Sequence, residues 1–150
     1  MNNNRLEDLR EEHNLKSMDV AMLLGVNKST YSEWENNRIP LPTRRIIEIA
    51  DYYQVNIDYM LKFSNKRKAI KHKTQVDLTK IGQRLKEIRN HLGLSLRELG
   101  EKLNCSFSAL ACYERGEKLI NTNILISLAC ISNSSIDYIL GRSNKKTLRD

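Results

Sequence analysis

The chain has 150 residues, 40% of them hydrophobic and 29% charged, with 25 Lys and Arg against 18 Asp and Glu for a net charge of +7. Such a make-up suits one ordinary globular core or two small ones, and argues against wholesale disorder. No apolar run approaches the roughly 18 residues of a membrane span, and the start Met1-Asn2-Asn3-Asn4-Arg5 lacks the apolar heart of a signal peptide, so a cytoplasmic location and no membrane partner are expected.

An internal repeat sets the organisation. Shifting the chain against itself by 79 places aligns residues 5–66 with 84–145 without a gap and gives 17 identities in 62 positions, against roughly four expected from average composition. The matches include Arg5/Arg84, Leu6/Leu85, Arg10/Arg89, Glu35/Glu114, Thr43/Thr122 and Ile57-Asp58-Tyr59/Ile136-Asp137-Tyr138. The chain therefore divides into a first domain at 1–65, a basic linker at 66–78, a second domain at 79–144 and a tail at 145–150.

Taken in chain order, the apolar residues of the first unit recur at helical rather than alternating spacing, as in Leu6, Leu9, Val20, Leu23 and Leu24, then Ile46, Ile49 and Ala50. Asn4 followed by Glu7 resembles a capping box that would open the first helix, and Asn14 ends it. The second helix begins at Ser17. Gly25 sits where a left-handed turn would separate it from a third helix that ends near Asn37. Pro40 and Pro42 stiffen the loop before a fourth helix from Thr43, and Ile57–Leu61 makes a short fifth.

Lys66-Arg67-Lys68-Ala69-Ile70-Lys71-His72-Lys73-Thr74-Gln75-Val76 is basic and poorly patterned. As a flexible tether of about 14 residues it would span roughly 20 Å on average and near 45 Å stretched. The basic excess begins here: residues 1–65 hold 8 Lys and Arg against 10 Asp and Glu, 66–83 hold 6 against 1, and 84–150 hold 11 against 7. The second unit repeats the pattern, with Gly93 closing its first helix, Ser95 and Glu98 forming a capping box, Asn104 at the turn, Gly116 ending the third helix, and Thr122 and Ile136–Leu140 matching the fourth and fifth. The expected fold is all-α: two tandem five-helix units.

The stretch Ser17 to Asn37 reads helix, tight turn, helix. Small Ala21 lets the two helices approach, Gly25 makes the turn, Val26 plugs the corner, and Tyr31 and Trp34 turn one face to the core. At this point the sequence resembles the phage-repressor and Cro superfamily of helix-turn-helix proteins, the xenobiotic-response-element type. The resemblance rests on Arg5-Leu6-Glu7-Asp8-Leu9-Arg10, Val20-Ala21, Leu24-Gly25-Val26-Asn27 and Trp34-Glu35-Asn36-Asn37. It rests equally on Arg84-Leu85-Lys86-Glu87-Ile88-Arg89, Leu94-Ser95, Leu103-Asn104-Cys105-Ser106 and Tyr113-Glu114-Arg115-Gly116. It implies a sequence-specific regulator of transcription, a repressor, with double-stranded DNA as partner. It also implies that Arg10–Glu35 and Arg89–Glu114 are structural ion pairs rather than sites.

A recognition helix enters the major groove by its N-terminal half, so its first exposed residues read base edges. In the first unit these are Lys28, Ser29, Ser32 and Glu33. Lys28 can donate to guanine, Glu33 can accept from a cytosine amino group, and the serines can adapt. Phosphate contacts are expected from Lys16, the backbone N–H groups at Ser17, and Arg38, Arg44 and Arg45. The family commonly has Ser-Gln where this chain has Lys16-Ser17, a departure that removes the usual glutamine. In the second unit the four reading positions become Phe107, Ser108, Ala111 and Cys112, a mostly apolar face, while Arg97, Lys102, Arg115 and Lys118 retain positive charge. That unit is expected to serve homodimerisation or shape-based DNA contact.

An enzyme is not expected. There is no phosphate-binding Gly-rich loop, and His13, His72 and His91 lie apart without metal-ligand spacing. Cys105, Cys112 and Cys130 match no disulfide or metal pattern and read as reduced packing residues, so neither metal nor cofactor is expected. The competing reading is a protein-interaction module, such as an antitoxin or antirepressor, that uses the same scaffold against a protein.

Overall fold

The computed structural model describes residues 3–147, and the chain separates into two compact units, Met1–Lys73 and Thr74–Asp150. The first holds α1 (Leu6–Glu12), α2 (Ser17–Leu24), α3 (Lys28–Glu35), α4 (Thr43–Tyr53) and α5 (Ile57–Met60). The second holds α6 (Leu78–His91), α7 (Leu96–Leu103), α8 (Phe107–Glu114), α9 (Thr122–Ser132) and α10 (Ile136–Ile139). Among the described residues no helix is long and apolar enough to cross a membrane.

The helix breaks fall where the sequence put them. Asn14, Gly25 and Asn37 adopt positive φ in the first unit, as do Gly93, Asn104 and Gly116 in the second. Only glycine, and asparagine through its short polar side chain, enters that region at low cost. Caps fix the starts: Asn27 Oδ1 accepts from Thr30 N at 2.8 Å, Ser106 Oγ from Ala109 N at 3.2 Å, and Ser95 exchanges two hydrogen bonds with Glu98. That exchange holds the Glu98 carboxyl below its ordinary range. Asn4 departs from its expected role. Its Oδ1 accepts from Leu6 N at 3.1 Å, and its buried amide nitrogen donates to Glu35 O and to Asn37 Oδ1, joining the start of α1 to the end of α3.

Leu6, Leu9, Val20, Ala21, Tyr31, Ile46, Ile49, Ile57 and Met60 form the first core, and Ile81, Leu85, Leu99, Leu110, Leu125, Leu128, Ile136 and Ile139 the second. Each of the leucine, isoleucine, valine and methionine side chains among them contributes on the order of 1.5–3 kcal/mol. Cys105 and Cys112 are half-buried and fit the packing reading, burial pushing the Cys105 thiol up. Cys130 does not: it lies exposed on the outer side of α9.

Two findings depart from the expected boundaries. First, α6 is 14 residues long where α1 has 7, because Asp77 Oδ1 caps it from within the expected linker by accepting from Lys80 N at 3.1 Å. Second, much of that linker is part of the first unit. Asn56 N donates to Lys68 O and Ile70 N to Gln54 O, each at 3.1 Å, and Val55 pairs with Ala69 in an isolated antiparallel bridge. The tail does the same in the second unit, where Ser134 pairs with Thr147 and Ser135 N donates to Lys146 O at 2.8 Å. Each unit thus ends in a short arm that returns to the turn before its fifth helix. The reason is local, since the extended residue before α5 and α10 offers backbone groups that need partners. The contacts of the first unit run to Ile70 and those of the second begin at Thr74, whose hydroxyl accepts from Arg142 Nε at 3.0 Å.

Candidate nucleic-acid interface

In the first unit the turn between α2 and α3 is closed by Gly25 N donating to Met22 O at 3.1 Å and Val26 N to Ala21 O at 3.0 Å. Ala21 is fully buried, so α2 and α3 meet closely at that point. Tyr31 and Trp34 turn inward with Glu35. Burial and the Glu35 carboxylate push the Tyr31 hydroxyl up, and burial pushes that of Tyr53 up to about 12, so both stay neutral beneath the helix.

That inward anchoring leaves the N-terminal half of α3 outward. Lys28 and Ser29 are exposed, and Ser32 and Glu33 are half-buried one turn later. Ser29 Oγ donates to Asn27 Oδ1 at 2.9 Å, so its lone pairs, rather than its proton, point to an incoming group. Asn27 itself was not foreseen. Its exposed amide stands at the tip of α3 while its oxygen caps the helix.

The far end of α3 is held by the ion pair. Arg10 Nη2 lies 2.9 Å from Glu35 Oε1 and Nε 3.3 Å from Oε2, while Nη1 donates to Leu15 O at 3.1 Å. The second unit repeats it: Arg89 meets Glu114 at 2.6 and 2.9 Å and donates to Leu94 O at 3.0 Å. Both arginines are held above their ordinary range by these carboxylates. Unlike the ion pairs, a second repeated cluster is not among the expectations from the sequence. Arg5 stacks 4.0 Å from the Tyr59 ring and donates to Tyr59 O, Ser64 O and Asn65 Oδ1, as Arg84 does with Tyr138, Ser143 and Asn144. The signal was present, since all four positions are identical between the repeats.

Of the expected phosphate contacts, Lys16, Arg38 and Arg44 are exposed. Ser17 opens α2, but the Asp19 carboxylate already accepts from Lys16 N at 2.7 Å in that first turn. Its negative charge offsets the attraction of the helix terminus for a phosphate and leaves Lys16 to supply the cation. Arg45 is placed elsewhere. Its guanidinium donates to Leu24 O at 2.8 Å and to Glu48 at 3.0 Å, satisfying the open C-terminus of α2 rather than reaching outward.

In the second unit Phe107 is 50% exposed, Ser108 is exposed, and Ala111 and Cys112 are half-buried. The Arg97 guanidinium lies 5.5 Å from the Phe107 ring and shields part of it. Arg115 pairs with Glu117 and donates to Cys112 Sγ at 3.5 Å, so its charge is partly neutralised, whereas Lys118 is exposed. Among the described residues no group of three His, Cys, Asp or Glu could hold a metal ion.

Comparison with known proteins identifies the family. The helix-turn-helix family model matches the chain twice, over residues 6–60 and 85–139. The chain is 40% identical over 62 residues to the HTH-type transcriptional regulator ImmR of Bacillus subtilis (strain 168), a match covering 41% of this chain and 49% of that protein. It is 33% identical over 57 residues to the uncharacterized HTH-type transcriptional regulator YobD of the same strain, covering 38% and 51%. The chain thus spans about half the length of the curated relatives it matches. Among solved structures, the restriction-modification controller protein C.AhdI of Aeromonas hydrophila aligns at 30% identity with a TM-score of 0.39, covering 42% of this chain and 96% of that one.

Proposed function

The chain belongs to the helix-turn-helix family, and on that premise we propose that it is a sequence-specific DNA-binding regulator of transcription, a repressor, whose first unit reads the major groove with α3. The observation that carries this reading is the outward N-terminal half of α3, where Lys28, Ser29, Ser32 and Glu33 present donors and acceptors from a helix anchored on its other side. Lys28 donates to guanine O6 and N7, and Glu33 accepts from a cytosine amino group. Ser29, with its proton given to Asn27, accepts from a base amino group, and Ser32 adapts to the neighbouring edge. Lys16, Arg38 and Arg44 hold the phosphates on either side.

The second unit contributes attraction without reading. At the positions matching Lys28, Ser32 and Glu33 it carries Phe107, Ala111 and Cys112, and the half-exposed Phe107 ring favours a protein contact, a second copy of this chain.

Selection of bound sequences from a random duplex pool, with the full chain and with Lys28→Ala, tests the reading. The variant is expected to bind the preferred site about 1–3 kcal/mol more weakly and to lose preference at particular base pairs. A selected motif unchanged by Lys28→Ala overturns the assignment of α3. If the full chain selects no motif at all, while Phe107→Ser abolishes self-association seen in sedimentation, the protein-interaction reading replaces it.

A further inference from the structure

Each unit has a corner where the returning arm passes the end of its first helix, and the two corners differ. In the first unit the corner is clasped shut. Arg67, on the arm, reaches Glu12 at the end of α1 with two parallel hydrogen bonds of 2.7 Å, and its guanidinium lies 5.8 Å from the Tyr59 ring. Tyr53 and Val55 are both buried, with the Tyr53 ring 4.8 Å from that of His13, the residue after Glu12.

In the second unit the matching positions are Lys146 for Arg67, His91 for Glu12, Ser132 for Tyr53 and Ser134 for Val55, while Tyr138 repeats Tyr59. The carboxylate of the clasp is gone, its cation is kept, a second basic side chain stands where the acid was, and two larger side chains have become serines. A cleft of about 680 Å³ opens there, with Ile88 and Tyr138 on its wall and His91, Ser132, Ser134 and Lys146 around it. That volume lies within the range of small-molecule sites, which is about 300–1,000 Å³. Glu87, also on the rim, accepts from Tyr138 OH through Oε2 at 3.3 Å. The Ser132 hydroxyl donates to Leu128 O at 2.6 Å and lies 2.8 Å from Ser134 Oγ, so its proton is committed within the protein, and His91 and Lys146 are the donors offered to an anion.

We propose that this cleft of the second unit binds a small amphipathic carboxylate, its carboxylate held between Lys146 and His91 and its apolar body laid along Ile88 and Tyr138. The ligand supplies from outside what Glu12 supplies from within the first unit, an anion that draws the arm against the end of the helix. A charge-assisted contact of this kind is stronger than a neutral one, and the apolar wall gives the tail a reason to leave water. Because the arm also carries the Ser135 N to Lys146 O hydrogen bond and the Ser134–Thr147 bridge, occupancy would tighten the turn before α10.

Titration of the full chain with octanoate, followed by amide NMR, tests the proposal, with octanamide and acetate as probes lacking the charge and the tail. Octanoate is expected to give saturable shifts at His91, Ser132, Ser134 and Thr147 and none at the matching Glu12, Tyr53, Val55 and Lys68. Octanamide and acetate should bind about fivefold or more weakly. Lys146→Gln, a change at an exposed side chain, should weaken octanoate to the level of octanamide. The double change His91→Glu with Lys146→Arg installs the clasp of the first unit and should abolish binding while leaving thermal stability at least as high. No saturable shift with octanoate, an equal response to octanamide, or an unaffected Lys146→Gln variant would each overturn the proposal.

Discussion

In the first unit Arg10 holds Glu35 at 2.9 and 3.3 Å, and in the second Arg89 holds Glu114 at 2.6 and 2.9 Å. On the outward side of the same two helices, however, Lys28, Ser32 and Glu33 are matched by Phe107, Ala111 and Cys112. The Arg–Glu pairs and the stacked Arg5 and Arg84 clusters agree between the copies down to single hydrogen bonds. Outside, they have diverged in polarity and charge. Positions whose geometry is shared by several partners cannot change one at a time, whereas an outward side chain answers only to what it meets. The contrast therefore separates the residues that build the unit from those that give each unit its task.

The largest expected effect tests the shared interior. Glu35→Ala and Glu114→Ala each strand a largely buried guanidinium, which costs about 3–5 kcal/mol. Thermal unfolding should show comparable losses for the two variants, with the motif selected from a duplex pool unchanged wherever the protein remains folded. A loss in one unit only would show that the matching distances hide different energetics.

Next comes a place where the interiors differ. Ala21 fits between α2 and α3, but at the matching Gly100 an added Cβ would stand 2.5 Å from Cys105 O, a backbone atom that cannot step aside. Gly100→Ala should destabilise by about 1–3 kcal/mol, the usual range for overpacking. An unchanged melting temperature would mean that the turn at Asn104 yields to the shape its counterpart already has.

Much of this was legible in the sequence, for identifiable reasons. Turn positions were readable because Asn14, Gly25, Asn37, Gly93, Asn104 and Gly116 are of the types that tolerate positive φ, and the core because its spacing is helical, apart from Leu23, which keeps that spacing yet lies exposed. The ion pairs came from the family resemblance, and the structure shows their contacts. What escaped were contacts between residues distant in the chain. The arms at 66–70 and 145–147 look like polar linker and tail because their pairing is by backbone groups, which leave no side-chain pattern. Arg45 looked outward because nothing local shows that the C-terminus of α2, 21 residues earlier, lies within its reach. The early start of α6 has a local signal, since Leu78, Ile81, Leu85 and Ile88 keep helical spacing behind Asp77, but the repeat gives no sign of it, because α1 begins only at Leu6, the counterpart of Leu85.

A smaller effect separates the flanking cations. Lys16→Ala and Arg38→Ala should each flatten the slope of log affinity against log salt by about 0.9 and weaken all duplexes alike. Arg45→Ala should leave that slope unchanged and instead lower stability, because it vacates Leu24 O. A flattened slope for Arg45→Ala would mean that its guanidinium leaves α2 for a phosphate when DNA arrives.

The smallest expected effect concerns the clasp between Glu12 and Arg67. Both side chains are roughly half exposed, at 49% and 42%, and exposed pairs contribute only about 0–1 kcal/mol. Arg67→Ala should therefore leave the melting temperature nearly unchanged, yet it acts where the arm is held. The amides of Asn56 and Ile70, which bond to Lys68 O and Gln54 O, should exchange with solvent faster in the variant. Acid should mimic the change. Arg67 holds the Glu12 carboxyl below its ordinary range, so protection is present above the usual carboxylate pKa and is lost as pH falls through the lowered value. The second unit, with His91 and Lys146 in place of the pair, provides the internal control. Its Ser135 amide, bonded to Lys146 O, should exchange faster than Asn56 in the unaltered chain and should not respond to Arg67→Ala. Equal exchange at Asn56 and Ser135, unmoved by the substitution or by acid, would show that backbone pairing alone holds both arms and that the clasp adds nothing.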